Sequence, residues 1–520
     1  MIHRLLQRTC RPQNRGWFCF LLTPQLIGSS AAFGLQHAVS NRWPITSYFR
    51  AHSTGHEQEM TRHALEIVEE AIQAVDPYTA VKSHFRLLGD STLEVGDSHF
   101  KLDDFDKIAL VSFGKASTAM ASAVLQQLEG NENEVVGSVI CKDDHATKEE
   151  QKLLEKYGLR IFSASHPVPD ERSAIAAEYT LKLMEKHASP STLVLCCISG
   201  GGSALFCKPR EGLTLKDLQE VNSCLLGSGM TIQEMNCIRK RLEDGKGGRL
   251  AAIGHPSQIV TLVLSDVLGD PLDLIASGPS VADSSSWKDA WEIVEKYQLA
   301  EKLPSNVLAL MKDGKDMKLP DSPSPDHPVF ETSKTVLVGN NALAVEAAAK
   351  KAEKLGYHPV VLGTQIEGES KEVANVYTRM ALHLQQQKEK TSHTIAPGLP
   401  VAMIAGGETT VSLTSNSGLG GRNQELALSA ALQLEALKMS NVVLASAGTD
   451  GTDGPTDAAG AVVDATTVSG DVKAAQKALL NHDAYTYFDK LAQKENGQNA
   501  LIKTGPTGTN VADISVTLIR

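Results

Sequence analysis

VLCCISGGGSAL, residues Val194–Leu205, is the stretch on which the reading of this chain turns. An apolar run continues directly into three glycines bracketed by serines, and a helix-like segment follows. Such a run marks a buried strand, and the switch from strand to helix through a glycine turn marks one arm of an α/β unit. Three glycines remove every Cβ from the turn, so successive N–H groups can close around an anion. Ser199 and Ser203 add hydroxyls at its edges, and a helix start adds its positive end. The same letters also suit a tight turn with no ligand, so the loop is weighed with its neighbours.

Short apolar runs alternate with amphipathic segments on both sides of it. Strands are expected at Ile108–Phe113, Val135–Cys141, Arg160–Ser163, Thr192–Ile198 and Gln258–Leu264, with helices at Thr61–Val75, Ser117–Leu128, Ser173–His187 and Leu215–Leu226. A Pro-rich stretch, Lys312–Pro328, interrupts the pattern. A second block follows, with strands at Thr335–Val338, Pro359–Leu362, Val401–Ile404, Thr410–Leu413 and Asn441–Ser446, and helices at Ala342–Leu355, Lys371–Gln386 and Asn423–Leu437. Alternation of this kind predicts two α/β domains with mostly parallel sheets, the N-terminal one Rossmann-like, and a cleft between them. The expected boundaries are 57–325 for the first domain and 330–520 for the second.

Residues 1–56 are a separate object. They contain no Asp or Glu and six arginines (Arg4, Arg8, Arg11, Arg15, Arg42, Arg50), the composition of a mitochondrial transit peptide. Initiation at Met60 would give a cytoplasmic form. The whole chain carries a formal charge of −11, which argues against nucleic acid as a partner. No other long apolar segment points to a membrane. The eight cysteines lack C-x-x-C spacing and read as reduced core residues. Walker, G-x-G-x-x-G and protein-kinase signatures are absent, since Leu205 stands where a dinucleotide fingerprint needs its third glycine.

The candidate chemistry sits where strands end. Lys115, in FGKA after the strand Ile108–Phe113, can direct a compact positive charge into a cleft. Asp266, in LSDVLGDP, can hold Mg²⁺, take a proton from a substrate hydroxyl, or simply cap its turn. Gly406–Thr410 (GGETT) and Gly418–Glu425 (GLGGRNQE) present Arg422 at a helix start, where a guanidinium can grip a carboxylate or phosphate through two hydrogen bonds. Asn423 there is equally a helix cap. In Gly448–Gly460 (GTDGTDGPTDAAG) the carboxylates, Asp450 and Asp453 foremost, suit a metal or hydroxyls. Gly505–Asn510 closes the series with hydroxyls and the Asn510 amide. Together these loops describe an enzyme acting on a small polar anion, with ATP as phosphoryl source.

FGKA (Phe113–Ala116), SGGGSAL (Ser199–Leu205), NCIRKRLEDGKGGRLA (Asn236–Ala251), LSDVLGDPLDLIASGP (Leu264–Pro279), GGETTV (Gly406–Val411), GGRNQELAL and TGPTGTN occur in the order found in the class II glycerate kinases, which the chain resembles from about His56 to its end. The resemblance implies ATP- and Mg²⁺-dependent phosphorylation of D-glycerate by a monomer or homodimer. It implies catalytic roles for Lys115, Asp266 and Arg422. It also implies that Ser199, Gly200, Gly201, Gly202, Ser203, Asn236, Arg239, Lys246, Gly407, Glu408, Asn423 and Asn510 line the cleft, with Asp450 and Asp453 at a metal. Leu419 departs from the family, which often carries a basic residue there. A hydroxypyruvate reductase acting on nearly the same carbon skeleton and a non-catalytic metabolite-binding protein are the alternatives. The residue pattern does not choose between the C2 and C3 hydroxyls.

Overall fold

The computed structural model describes residues 55–89, 91–386, 398–413, 415–493 and 499–520. The expected transit segment lies outside them, apart from Gly55 and His56, which open the helix Gly55–Ala74. A small antiparallel sheet comes first, formed by β1 (Phe85–Leu87), β2 (Thr92–Val95) and β3 (Ser98–Lys101).

The first large sheet contains β4 (Lys107–Phe113), β5 (Glu134–Lys142), β6 (Arg160–Ala164), β7 (Thr192–Ser199), β8 (Gln258–Leu264) and β9 (Lys334–Gly339) in the order β6-β5-β4-β7-β8-β9. Every pairing is parallel. Renumbered from β4, this is the 3-2-1-4-5-6 order of a doubly wound dinucleotide-type fold. Both faces are covered, which is why the strands read as continuous apolar runs. Ile108 and Leu110 of β4 and Leu193, Leu195 and Cys197 of β7 face one core. The alternate residues Ala109, Val111 and Phe113 of β4, with Val194, Cys196 and Ile198 of β7, face another, against the helix Glu171–His187. A satellite core around Trp287 holds the helices Leu215–Leu226, Ile232–Leu242, Trp287–Lys296 and Ser305–Lys315 together.

The second large sheet contains β10 (His358–Ile366), β11 (Val401–Gly407), β12 (Val442–Gly448), β13 (Gly460–Val463), β14 (Leu501–Ile502) and β15 (Asp513–Ile519), in the order β10-β11-β15-β12-β13-β14. Here the expectation of a mostly parallel sheet fails. Only β10 and β11 are parallel, and the four other pairings are antiparallel. The physical reason is the last strand. β11 and β12 run the same way across the helix Arg422–Ala436, as a βαβ unit requires, but β15 inserts between them in the opposite direction. Local periodicity carries no information about that insertion. The expected strand Thr410–Leu413 also fails, and Thr410 makes a single bridge to Glu369.

The sequence boundary near residue 330 does not separate the two halves. β9 closes the first sheet beside β8, although it lies beyond the Pro-rich stretch. Conversely, the helix Gly55–Ala74 packs on the second sheet, its Ala64, Leu65 and Val68 sharing a core with Ala402, Ile404, Val443 and Val516. That core also takes in Ile108, Leu110 and Leu195 of the first sheet. Burial of one continuous apolar surface thus fixes the two sheets relative to each other. Among the described residues, no helix is long and apolar enough to cross a membrane.

Candidate active site where the strands of both sheets end

In a doubly wound sheet a crevice opens outside the carboxyl ends of the two central strands, where successive connections leave in opposite directions. Here those strands are β4 and β7, and their exit loops are fastened to each other. The Lys115 amide donates to the Gly200 carbonyl at 2.9 Å. The Ala116 amide donates to Ser199 Oγ at 3.0 Å. Gly114 makes the approach feasible, with φ of +126° and no room for a Cβ, which would lie 2.2 Å from Ser199 Oγ. Ser199 is therefore buried and its oxygen accepts a backbone hydrogen bond from within the protein, in place of the expected role at the edge of a ligand.

Each glycine of the triple run answers a different constraint. A Cβ on Gly200 would lie 2.1 Å from Oδ2 of Asp266, so its absence admits that carboxylate. Gly201 has φ of +81°, and a Cβ there would meet the His166 ring at 3.0 Å and Lys115 Cγ at 3.3 Å. A Cβ on Gly202 would meet Ala276 Cβ at 2.8 Å. The loop therefore gathers Asp266, Lys115 and His166 around itself. Lys115 is half-buried, and among the described residues its ammonium makes neither a hydrogen bond nor an ion pair.

Asp266 leaves β8 beside this loop. Burial pushes its carboxyl above the usual range; Lys115 opposes the shift and Asp450 adds to it. The Asn510 amide donates to Oδ2 at 3.4 Å. The second sheet supplies the facing groups: Glu408 after β11, Arg422 at the helix start, Asp450 after β12, and Asp513 at the head of β15. Arg422 does not offer a free fork. Its Nε and Nη2 donate to Asp513 at 2.6 and 2.9 Å, and Nη1 pairs with Glu408 at 3.0 Å. The two-toothed grip expected for a substrate is made internally. A cavity of about 500 Å³ lies beside it, lined by Glu408, Thr409, Gly420, Gly421, Arg422 and His482 among others.

Several expected cleft residues are structural. Ser277 Oγ donates to Asn236 Oδ1 at 2.7 Å and lies 3.1 Å from Ser203 Oγ. Lys246 Nζ donates to the Ser203 carbonyl and pairs with Glu243, both at 2.7 Å, with Lys246 and Glu243 wholly inside the protein. Arg239 Nε donates to Asn222 at 2.8 Å. The contacts of Ser277 and Lys246 with Ser203 brace the loop, and that of Arg239 ties its helix to Leu215–Leu226. Gly407 packs against the backbone of β10, where a Cβ would lie 2.1 Å from the Ile366 carbonyl oxygen. Asn423 is buried, accepting from Ser446 Oγ at 2.6 Å. Asp453 is a helix cap and not a metal ligand beside Asp450: its two oxygens accept the amides of Asn423 and Gln424 at 3.1 and 2.8 Å. Burial pushes its carboxyl up to about 6. Among the described residues, no three His, Cys, Asp or Glu side chains are grouped to hold a metal ion.

Two residues of the site escape sequence reasoning. Asp513 is the single acid opening an apolar strand, a pattern that also describes an ordinary strand start. His166 lies two residues beyond β6, at a strand end like the others, in the unremarked run SHPVPD.

Two family models match: "Domain of unknown function (DUF4147)" over residues 63–312 and "MOFRL family" over residues 401–513. The "D-glycerate 2-kinase" of Thermotoga maritima is 38% identical over 466 residues, spanning 89% of this chain and 99% of that protein. The chain belongs to the glycerate kinase family. The "Glycerate kinase" of Mus musculus is 34% identical over 501 residues, 89% of this chain and 93% of its own. The crystal structure of a Thermotoga maritima glycerate kinase superposes with a TM-score of 0.74 at 35% identity, covering 89% of this chain and all of that one. An Agrobacterium vitis relative that carries a hydroxypyruvate reductase name is 37% identical over 421 residues, 79% of this chain and 99% of that protein.

If Lys246 braces the loop and touches no ligand, Lys246→Ala should destabilise the fold by about 3–5 kcal/mol, because Glu243 is left buried and unpaired. Thermal unfolding checks this, and unchanged stability with weakened substrate binding would return Lys246 to the cleft. His166 is held neutral, pushed down to about 4 by burial first and then by Lys115, Lys142 and His145. An unfolded histidine protonates near 6.5, so its contribution to stability is present above that pH and declines as pH falls toward 4. Melting temperature should accordingly fall more steeply for the wild type than for His166→Gln across this window. Parallel curves would show that the ring takes up its proton as readily in the fold as in the unfolded chain.

Proposed function

We propose that the protein transfers the γ-phosphoryl group of ATP to the C2 hydroxyl of D-glycerate. The observation that carries this reading is the convergence of unpaired Lys115 with Asp266 on the glycine loop at the switch point. A phosphoryl transferase needs a cation against developing phosphate charge and an acceptor for the hydroxyl proton. Lys115 supplies the first. Asp266 suits the second, since a raised carboxyl pKa brings a base nearer to working pH. The choice of C2 rests on the names of the archaeal and bacterial relatives.

Arg422 contributes as a positive charge fixed by Asp513 and Glu408, a preorganised element that needs no reorganisation during transfer. Mg²⁺ accords with the hard oxygen donors present: Asp450 is near enough to Asp266 to push its carboxyl further up, and Mg²⁺ characteristically takes one or two carboxylates with the remainder from phosphates and water. When bound, the ion would neutralise phosphate charge. Asp266 holds or removes the hydroxyl proton, Lys115 orients the transferred group, and the Asn510 amide keeps the Asp266 carboxylate in place.

The direct test is ADP release with D-glycerate, L-glycerate and hydroxypyruvate, with excess chelator and with an NADH-oxidation control. The expected outcome is chelator-sensitive ADP release with D-glycerate alone, giving 2-phosphoglycerate. NADH-dependent reduction of hydroxypyruvate would support the second reading, which the name of the Agrobacterium vitis relative favours. Lys115→Ala should lower kcat by about 10²–10³. Gly200→Ala should also lower kcat on a folded protein, because its Cβ displaces Asp266. If both variants keep kcat within a few-fold of wild type, the chemistry lies elsewhere in the cleft.

We also propose that residues 1–56 direct mitochondrial import. A tagged protein lacking them should stay in the cytosol, and mitochondrial accumulation of that form would refute the assignment. A form initiated at Met60 would lose Glu59, whose carboxylate accepts from Arg520 at 2.8 Å.

A further inference from the structure

The first sheet brings a second set of basic groups to the glycine loop. β5 ends at Lys142, and His145 follows it; β6 is followed by His166; β4 is followed by Lys115. The His166 ring lies on Gly201, with its Cδ2 and Nε2 at 3.0 Å from the Cβ position of that glycine and Lys115 Cγ at 3.3 Å from the same point. Any group seated on the loop therefore meets the ring edge and the lysine stem together. Among the described residues, the His166 ring nitrogens, Lys115 Nζ and Lys142 Nζ make no hydrogen bond or ion pair.

Of the nearby carboxylates, Asp266 lies on Gly200 near Lys115 without pairing to it, and those next to Lys142 are engaged elsewhere or exposed. Asp143 is held by Arg172 through two hydrogen bonds at 2.7 and 2.8 Å, and Arg172 also binds Asp170 at 2.8 Å. Asp144 is exposed. His145 Nδ1 lies against the Asp143 carbonyl at 3.1 Å. In a chain of net charge −11, two lysines that form no ion pair among the described residues, beside a half-buried histidine, mark a place suited to negative charge.

We propose that His166 and Lys142 join Lys115 over the glycine loop as the seat of the nucleotide's phosphate chain. This rests on the kinase reading and extends it to residues outside the expected site. A triphosphate fits better than a lone carboxylate, because several cations match a polyanion and one charge needs only one partner. The facing wall, from the second sheet, carries Glu408, Asp450 and Asp513, while Asp266 stands on Gly200 at the β8 side of the loop, where a carboxylate accepts a hydroxyl hydrogen and disfavours a phosphate. A neutral His166 donates one N–H to a phosphate oxygen and pays no cost for charging in a half-buried site.

The test is calorimetric titration of the full-length protein with ADP, inorganic tripolyphosphate and D-glycerate, on the wild type, His166→Ala, His166→Gln and Lys142→Ala. His166→Ala and Lys142→Ala should each weaken ADP and tripolyphosphate binding by about tenfold, the loss of a hydrogen bond to a charged group. D-glycerate binding should stay within twofold. His166→Gln keeps an N–H donor and should recover part of the loss. Should His166→Ala fail to fold by circular dichroism, Lys142→Ala and His166→Gln still decide the matter. Weakened D-glycerate binding with tripolyphosphate unaffected would overturn the proposal and give the patch to the acid's carboxylate, and unchanged binding of all three would overturn it outright. A wild type that binds tripolyphosphate with these losses yet releases no ADP with D-glycerate would keep the phosphate seat and discard the kinase reading.

Discussion

The fastening of the β4 exit to the β7 exit is the constraint on which the site depends. Two backbone-directed hydrogen bonds, Lys115 N to Gly200 O and Ala116 N to Ser199 Oγ, hold the two central loops in contact. They form only because Gly114 has no Cβ and adopts a positive φ. Once the loops are joined, Lys115 cannot leave the glycine run, and Gly200 leaves a space that Asp266 fills. A cation and a carboxylate are thereby placed on one backbone surface without either side chain bearing the cost of positioning.

The second sheet answers with fixed charge. β15 enters between β11 and β12 and puts Asp513 beneath Arg422. The guanidinium is held by a buried carboxylate on one edge and by Glu408 on another, so its charge is delivered without mobility. Burial raises the Asp513 carboxyl and the Arg422 contact opposes that shift. A charged pair of this kind is weak support for stability but strong support for orientation. The parallel sheet thus brings Lys115 and His166 together with Asp266 at the glycine loop, and the mixed sheet brings carboxylates with Arg422 embedded among them.

Much of this was legible before any coordinates. The strands β4, β7 and β8 were readable because burial on both faces leaves unbroken apolar runs, and the loops after them because glycine, lysine and aspartate at strand ends stand out against such runs. The motif order pointed to the glycerate kinase family, to which the chain belongs. Less legible were the roles of individual polar residues. Asn236, Lys246, Asn423 and Asp453 share motifs with cleft residues, yet each is buried and bound to the protein itself. A motif reports that a residue is needed, and both a brace and a ligand contact are needed.

The local elements, the glycine turns and the chemistry available at strand ends follow from the order of residues alone, through periodicity and the steric limits of each residue over a few positions. The direction of β15, the allegiance of β9 and of the helix Gly55–Ala74, the capture of Arg422 by Asp513, and the placing of His166 on Gly201 emerge only in the folded chain. All of these are contacts between segments distant along the chain, where which partner a side chain meets is set by packing and not by its neighbours in sequence.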